Sequence, residues 1–315
     1  MRVLVNDSIA KEAIEALESK YEVTVKFHER DELLNVISEY DALIVRGRTK
    51  VPREVIEKGI KLKVIARAGI GVDNIDVQYA TEKRIPVVNA PRSSTISVAE
   101  LTLGHMISLA RHLPYADKSM KEGMWEKKQL MGSELMGKTL GLVGCGRIGA
   151  EVAVRAKAFG MKVLAYDPYL PEDIKKKICA DFTTLEDLLR NSDFVSIHAL
   201  LTDETRGMIG REELAMMKST SCIVNCARGA IIDEKALAEA LENGDIAGAA
   251  LDVFENEPPE GSPILSARNT VFTPHLGAST IEAQVRAGRT IAEQVDRVLS
   301  GQRPEFVVNR EVYQS

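Results

Sequence analysis

Leu140-Gly141-Leu142-Val143-Gly144-Cys145-Gly146-Arg147-Ile148-Gly149 decides the fold. An apolar strand leads into a G-x-G-x-x-G loop, and a helical stretch rich in Ala and Val runs over 148–159 until Gly160 stops it. Gly144 permits a tight turn, Gly146 lets the backbone approach a pyrophosphate, and Gly149 lets helix and strand pack together. The helix start, with Arg147 and Ile148, offers free N–H groups and a partial positive charge to phosphates. The next strand, over 162–166, ends at Asp167, about twenty residues on, where a carboxylate accepts hydrogen bonds from ribose hydroxyls. Such a carboxylate also repels a 2′-phosphate, and Pro168 and Tyr169, not a basic residue, follow it. A bare glycine loop is a common strand-to-helix turn. The strand before it, the helix after it and the acid at the next strand end make this one a dinucleotide site, for NAD rather than NADP.

Upstream of the loop, apolar runs at 3–5, 23–27, 42–45, 64–66 and 87–88 alternate with helix-like stretches at 9–17, 33–37, 55–60 and 77–83. Apolar runs without polar alternation predict parallel strands covered on both faces, and strand–helix alternation predicts a doubly wound unit. A second series begins after Pro91. Ser94 or Thr95 caps a long helix to Arg111, with Glu100 in its early turns, and a loop follows around Pro114 and Gly123. Later strands are expected at 194–197, 222–225, 247–252 and 271–272, and a last helix over 280–299, closed by Gly301. Residues 306–308 suit a returning edge strand. The expected architecture is α/β, with two doubly wound parallel-sheet domains. Residues 1–93 and 284–315 would form a flavodoxin-like substrate-binding domain and residues 94–283 a Rossmann NAD-binding domain, the last helix crossing back to the first.

The 315 residues are comfortable for two cores. Apolar residues at 45% and charged ones at 28% match a soluble globular chain. The net charge of −5 and the lack of a basic run argue against a nucleic-acid partner. The longest mostly apolar stretch, 98–109, contains Glu100 and His105 and is too short to span a bilayer. The chain opens on Arg2-Val3-Leu4-Val5-Asn6, without the pattern of a signal peptide, so a cytoplasmic location without membrane partners is expected. Cys145, Cys179, Cys222 and Cys226 form neither a C-x-x-C pair nor a metal-finger spacing, which predicts reduced thiols and no metal.

Open α/β sheets place their sites at the carboxyl ends of strands. Three late strands run into Cys226-Ala227-Arg228-Gly229, Asp252-Val253-Phe254-Glu255-Asn256-Glu257-Pro258-Pro259 and Pro274-His275-Leu276-Gly277. Taken singly, a loop arginine is solvated, Glu255 and Glu257 are surface charges and His275 is a satisfied loop histidine. Taken together beside a nicotinamide, they suit hydride transfer. Reduction of a carbonyl needs a proton donor near neutral pH, and histidine is the natural one. A carboxylate beside it favours the imidazolium form and orients the ring. An arginine holds a substrate carboxylate bidentately and polarises the adjacent carbonyl. His28, His105 and His112 are poorer candidates. His198 ends the strand at 194–197 close to the expected cofactor but lacks a phased acidic partner.

These motifs, extended by Ala278-Ser279-Thr280, resemble the D-isomer-specific 2-hydroxyacid dehydrogenase family over nearly the whole chain. The resemblance implies that Arg228 binds and polarises the substrate, that His275 is the acid/base and that Glu257, not Glu255, is its partner. It implies cofactor contacts from His198, Cys226, Ala227, Arg228, Asp252, His275, Gly277 and Ala278 as well as from the glycine loop. Arg67-Ala68-Gly69-Ile70-Gly71-Val72-Asp73-Asn74 resembles a substrate-carboxylate loop, with Arg67, Ile70, Gly71 and Val72 at the substrate. Val45-Arg46-Gly47-Arg48-Thr49 resembles the cationic loop that receives a substrate phosphate in one branch of the family, and a dianionic phosphate is well served by two arginines. Lys127, between Gly123 and Leu135, matches a basic residue that reaches the phosphate from a neighbouring subunit. A homodimer or homotetramer is implied, with the helix at 94–111 and the loop around Trp125 as its surface.

The activity so implied is NAD-dependent oxidation of 3-phospho-D-glycerate to 3-phosphohydroxypyruvate, which opens serine synthesis. The alternatives are a reductase of glyoxylate, hydroxypyruvate or a related 2-keto acid, and, further off, an NAD-sensing corepressor. Arg228, Glu257 and His275, all present, argue against the last. Two features depart from the pattern. Ala199-Leu200 follow His198 where relatives carry Thr-Pro or Val-Pro, so one cofactor-side contact is expected to differ. The sequence stops at Ser315, where longer relatives continue into regulatory domains, so no serine-binding regulatory domain is expected.

Overall fold

The apolar runs become strands. Those at 3–5, 42–45 and 64–66 lie in the middle of their sheet and those at 23–27 and 87–88 at its edges, where the first, bearing Lys26, is partly exposed rather than covered on both faces. In the computed structural model, which describes residues 1–314, the strands assemble two parallel sheets. The first compact unit comprises, among the described residues, 1–94 and 278–314. Its strands are β1 (Arg2–Val5), β2 (Glu22–Val25), β3 (Ala42–Val45), β4 (Val64–Arg67) and β5 (Val87–Asn89), in the order β2-β1-β3-β4-β5. Every pair is parallel, with Val3 opposite both Val23 and Ala42. That order is the flavodoxin-like one.

Successive strand residues point to opposite faces, so both faces of the sheet are apolar and both are covered. Val3, Val5, Ile44 and Val64 pack with Ala13 and Leu17 of the helix Lys11–Glu18 and with Ile291 and Val295 of the helix Ile281–Leu299. Leu4, Leu43, Val45 and Ile65 pack with Leu33, Val55 and Tyr79 from three helices on the other face. The long C-terminal helix starts where the Thr280 hydroxyl accepts from the Ala283 N–H at 3.1 Å. It lies close against the first helix because Gly288 has no side chain. A β-carbon there would stand 2.9 Å from that of Ala13. Residues 306–308 return to β5 as one antiparallel bridge, Val88 to Val307, rather than as a full strand.

The second unit, 95–277, carries β6 (Thr139–Val143), β7 (Lys162–Tyr166), β8 (Asp181–Phe182), β9 (Phe194–Ile197), β10 (Cys222–Asn225), β11 (Gly248–Leu251) and β12 (Thr270–Phe272). Their order is β12-β11-β10-β9-β6-β7-β8, all parallel. The helices Thr95–Arg111 and Arg147–Ala158 cover one face through Val98, Leu103, Met106, Val152 and Ala156. The helices Leu185–Asn191, Arg211–Met216 and Glu234–Asn243 cover the other. The chain winds outward from β6 to β8 and then crosses to β9. The carboxyl ends of β6 and β9 therefore face a topological switch point, where α/β sheets bind ligands.

One expected loop is a helix. Residues Leu113–Lys121 are helical although Pro114 lies among them. The proline sits in the first turn, where no intrahelical N–H is lost, and His112, at φ 51°, separates this helix from the preceding one. The apolar pattern also gives no sign of β8 or of the helix Glu172–Lys175, which are too short for a period to register. Among the described residues, no helix is long and apolar enough to cross a membrane.

Candidate active site

The glycine loop connects β6 to the helix Arg147–Ala158. Gly144 has φ 85°, and a β-carbon on it would lie 2.5 Å from the Ala199 nitrogen, so glycine is required on both counts. A β-carbon on Gly149 would lie 2.7 Å from the Gly144 carbonyl oxygen. Gly146, which precedes the helix, has nothing within 4 Å of its β-carbon position, leaving space for a group to reach the backbone. Asp167 accepts from the Cys145 N–H at 2.9 Å and the Tyr169 N–H at 3.2 Å, tying the loop to the end of β7. The Tyr169 hydroxyl bonds Glu204, bringing a second carboxylate to that turn.

His198 follows β9 and donates its backbone N–H to Val143 at 2.7 Å. Its Nε2 meets the Ser196 hydroxyl at 2.9 Å, while its Nδ1 is buried without a partner. Burial pushes the imidazole down to about 4, so it is neutral at pH 7. An open cradle at Gly146, the helix start behind it and an orphaned polar atom at the neighbouring strand end together fit a dinucleotide. Cys145 and Cys226 are pushed up to about 12, chiefly by burial, and so are thiols rather than reactive thiolates.

Three further strand ends build the candidate centre. After β10, Asn225 donates to the Arg228 carbonyl at 2.9 Å and accepts from the Ala227 N–H at 3.0 Å, folding the turn that carries Arg228. Gly229 then lies flush on the backbone of Phe254 and Glu255, where a β-carbon would overlap both. After β11, the buried Glu234 accepts from the Glu255 N–H at 2.5 Å and the Ser262 hydroxyl at 2.6 Å, pinning the loop from both ends. That loop presents Glu257. One of its oxygens accepts from the Phe254 N–H at 3.2 Å and the other meets His275 Nδ1 at 2.7 Å. Burial works against ionisation of Glu257, but the bond to His275, the Phe254 N–H and the Arg228 charge outweigh it and hold the carboxyl below its usual range.

After β12, His275 adopts φ 54°, the left-handed region a non-glycine residue rarely enters. The buried Asp252 holds it there. Its carbonyl accepts from the His275 N–H at 2.8 Å, and its two carboxylate oxygens accept from the Leu276 N–H at 2.7 Å and the Gly277 N–H at 2.8 Å. The Nε2 of His275 has no protein partner among the described residues. A cavity of about 400 Å³ lies against the pair, lined by Phe254, Leu265, Phe272 and Pro274 as well as Glu257 and His275. Arg228, Glu257 and His275 are thus assembled from three loops within one unit.

The first unit carries the other expected binding residues. Asp7 anchors the loop after β3, accepting from the Arg46 N–H at 2.6 Å, the Thr49 N–H at 3.1 Å and the Thr49 hydroxyl at 2.7 Å. Asn74 spans the same loop, donating to the carbonyls of Arg46 and Thr49 at 3.1 and 2.7 Å. The two arginines differ. Arg48 lies 3.4 Å over the Phe27 ring and pairs with Glu29 at 3.1 Å, whereas the Arg46 guanidinium has no ion pair among the described residues. Arg67 Nε donates to the Arg46 carbonyl at 3.2 Å, and Asn89 fixes the turn of Ile70, Gly71 and Val72 by donating to the Ile70 carbonyl at 2.6 Å. Lys127 is exposed in the segment that also carries Trp125 and Met131, and Ala278 opens the return to the first unit. Among the described residues, no cluster could hold a metal ion.

Asp7, Glu234 and Thr273 go unnoticed in the sequence because their partners stand 21 to 168 residues away and no spacing rule links them.

Residues 103–277 match the model of the D-isomer specific 2-hydroxyacid dehydrogenase NAD-binding domain. The chain is 53% identical over 311 residues to a D-3-phosphoglycerate dehydrogenase of Methanocaldococcus jannaschii, covering 98% of this chain but 59% of that protein. It is 52% identical over 303 residues to a hydroxypyruvate reductase of Thermotoga maritima, covering 95% of this chain and 98% of that one. A protein of Thermus thermophilus of known crystal structure superposes with a TM-score of 0.90 at 37% identity, covering 98% of this chain and 100% of the other. This chain therefore spans little more than half the length of the phosphoglycerate dehydrogenase it matches, and nearly the whole of the reductase. With its NAD-binding domain and two parallel-sheet units, the chain belongs to the D-isomer-specific 2-hydroxyacid dehydrogenase family.

Proposed function

We propose that this chain interconverts 3-phospho-D-glycerate and 3-phosphohydroxypyruvate with NAD. The observation that carries the chemistry is the 2.7 Å bond between His275 Nδ1 and Glu257, with Nε2 left without a protein partner among the described residues. NAD, when bound, supplies the hydride acceptor for oxidation and the donor for reduction. In oxidation His275 takes the hydroxyl proton of the substrate at Nε2, and Glu257 accepts from Nδ1–H and stabilises the cation. In reduction the same nitrogen returns the proton. Arg228 holds the substrate carboxylate and draws on the carbonyl oxygen. Asp167, with Glu204 bonded to Tyr169 beside it, favours NAD over NADP by charge.

The substrate assignment rests on Arg46, with Arg67, Ile70, Gly71 and Val72 of the same unit at the carboxylate. The Arg46 guanidinium, without an ion pair among the described residues, suits a phosphate. We assign recognition of the substrate phosphate to the first unit, and the nucleotide with Arg228, Glu257 and His275 to the second. Lys127 of a neighbouring copy completes the phosphate site in this reading. Trp125, 79% exposed, and Met131, 83% exposed, offer an apolar surface for that copy.

A second reading, hydroxypyruvate reductase, draws on a different observation. Arg48 is committed to Phe27 and Glu29, whereas the Arg46 guanidinium has no ion pair among the described residues. The substitution Arg46→Ala separates the two. Under the first reading it lowers kcat/KM for 3-phospho-D-glycerate roughly ten- to a hundredfold, the worth of a charge-assisted contact, and leaves hydroxypyruvate reduction nearly unchanged. Equal effects on both substrates would favour the second.

A further inference from the structure

Behind the reacting centre lies a buried titratable group that the proton transfer does not use. His105 is 2% exposed, midway along the helix Thr95–Arg111. Its Nε2 stands 3.1 Å from the Thr273 hydroxyl, and that hydroxyl stands 2.5 Å from Asp252 Oδ1. Thr273 has one hydroxyl hydrogen. With Asp252 as acceptor it gives that hydrogen to the carboxylate, so the Nε2–H of His105 is the donor to Thr273. Asp252 is 1% exposed, and the same carboxylate receives the N–H groups of Leu276 and Gly277. Hydrogen bonds therefore connect the middle of a core helix to the backbone that follows the strained His275, the Thr273 hydroxyl and the two backbone N–H groups converging on the Asp252 carboxylate.

We propose that His105 is a positioning residue for this reaction: through the Thr273 hydroxyl it fixes the Asp252 carboxylate that holds His275 in its left-handed conformation. A carboxylate has several lone-pair directions, and the two backbone N–H groups, one at each oxygen, hold it only from the 276–277 side. The Thr273 hydroxyl adds a third direction, and a hydroxyl, itself a free rotor, is oriented only once its oxygen also receives a donor. His105 supplies that donor from an element whose backbone is fixed by the helix. A leucine at 105 would fill the site and leave the Thr273 oxygen without its donor, so Asp252 and the 275–277 backbone would gain freedom while the core stayed packed. Burial lowers the affinity of His105 for a second proton, against the opposing pull of Asp252, and the Nε2–H is present in the neutral ring.

The inference rests on the role given above to His275, and the test separates the two. His105→Leu, Thr273→Val and the double variant are compared with His105→Gln, whose amide carries an N–H at similar reach, and with His275→Ala. Steady-state kcat and KM are measured with NAD and the 2-hydroxy acid, and unfolding midpoints are recorded for each. We expect His105→Leu and Thr273→Val each to lower kcat roughly tenfold or more while KM for the acid moves less than about twofold. The double variant should be no worse than Thr273→Val alone, because the two residues act through one path. His105→Gln should recover most of the loss. Wild-type kcat in His105→Leu, multiplying effects in the double variant, or a glutamine variant as poor as the leucine one would overturn the positioning role. Should His105→Leu fail to fold, Thr273→Val, which removes one hydroxyl, decides alone. A His275→Ala protein with wild-type turnover would instead remove the acid/base assignment itself.

Discussion

Gly229 offers the sharpest test of how the site is built. Its α-carbon lies so close to the Phe254 carbonyl and the Glu255 N–H that a β-carbon would fall inside them. Carbon atoms in contact settle about 3.5–4 Å apart, so Gly229→Ala forces two backbone segments to part by more than about 1 Å. Neither can yield freely. The segment after β10 is folded by Asn225 on Ala227 and Arg228, and the other is pinned by Glu234 at Glu255 and Ser262. Overpacking of this kind costs about 1–3 kcal/mol of stability. The larger effect falls on catalysis, because Glu257 stands two residues beyond Glu255. A shift of about 1 Å lengthens its 2.7 Å bond to His275 beyond hydrogen-bond range, and a misplacement of that size lowers turnover about a hundredfold. Stopped-flow and steady-state assays of NADH formation, run beside urea unfolding, read both effects. A Gly229→Ala enzyme with wild-type kcat would refute the view that this backbone contact sets the geometry of the dyad.

Other outcomes follow from the same geometry. Gly146→Ala places a methyl in open space, so the unliganded protein should keep its unfolding midpoint within about 1 kcal/mol of stability while KM for NAD rises severalfold or more. An unchanged KM would place the pyrophosphate elsewhere. Glu257→Gln keeps the shape of the side chain and removes its charge; kcat should fall at least about tenfold, with the NAD dissociation constant, read by fluorescence quenching, held. His198 is held neutral in the fold, about 4 against an ordinary 6.5. The unfolded chain therefore takes up a proton as pH falls below 6.5 while the folded one does not. Its contribution is fully present above 6.5 and is lost toward 4, at a slope of up to about 1.4 kcal/mol per pH unit. Urea midpoints at pH 7 and 5 should therefore converge in His198→Gln relative to the parent, and identical pH dependence in the two would dismiss the effect.

Much of the architecture is legible because the signals are local. Val3 to Val5 and Ala42 to Val45 read as strands covered on both faces because they carry no polar alternation, and both faces are indeed buried. The last helix reads from residue 280 to 299 because its start and the closing Gly301 are local signals, and the Thr280 hydroxyl does cap it. The loops bearing Arg228, Glu257 and His275 stand out because each follows a strand. What stays hidden is whatever two distant segments make together. The helix Leu113–Lys121 is masked by a proline whose cost vanishes only in a first turn. His105 reads as one histidine on a core helix because its partner is 168 residues away.

The same limit governs the substrate. Arg46 and Arg48 flank one glycine and look interchangeable as cations on a strand-end loop. Their surroundings separate them. The Arg46 backbone is tied down through Asp7, Asn74 and Arg67, while its guanidinium keeps no ion pair among the described residues. Arg48 is stacked on Phe27 and paired with Glu29, both exposed enough that the pair itself is worth little. Releasing it from Glu29 to meet a dianion, with the Phe27 contact kept, would cost about 1 kcal/mol or less, against a gain of about 1.5–3 kcal/mol for a charge-assisted contact. The balance favours recruitment of Arg48 by a phosphorylated substrate and its retention by Glu29 for an unphosphorylated one. Glu29→Gln should therefore tighten binding of the phosphorylated acid alone, and an equal effect on both acids would show that Arg48 takes no part in the choice.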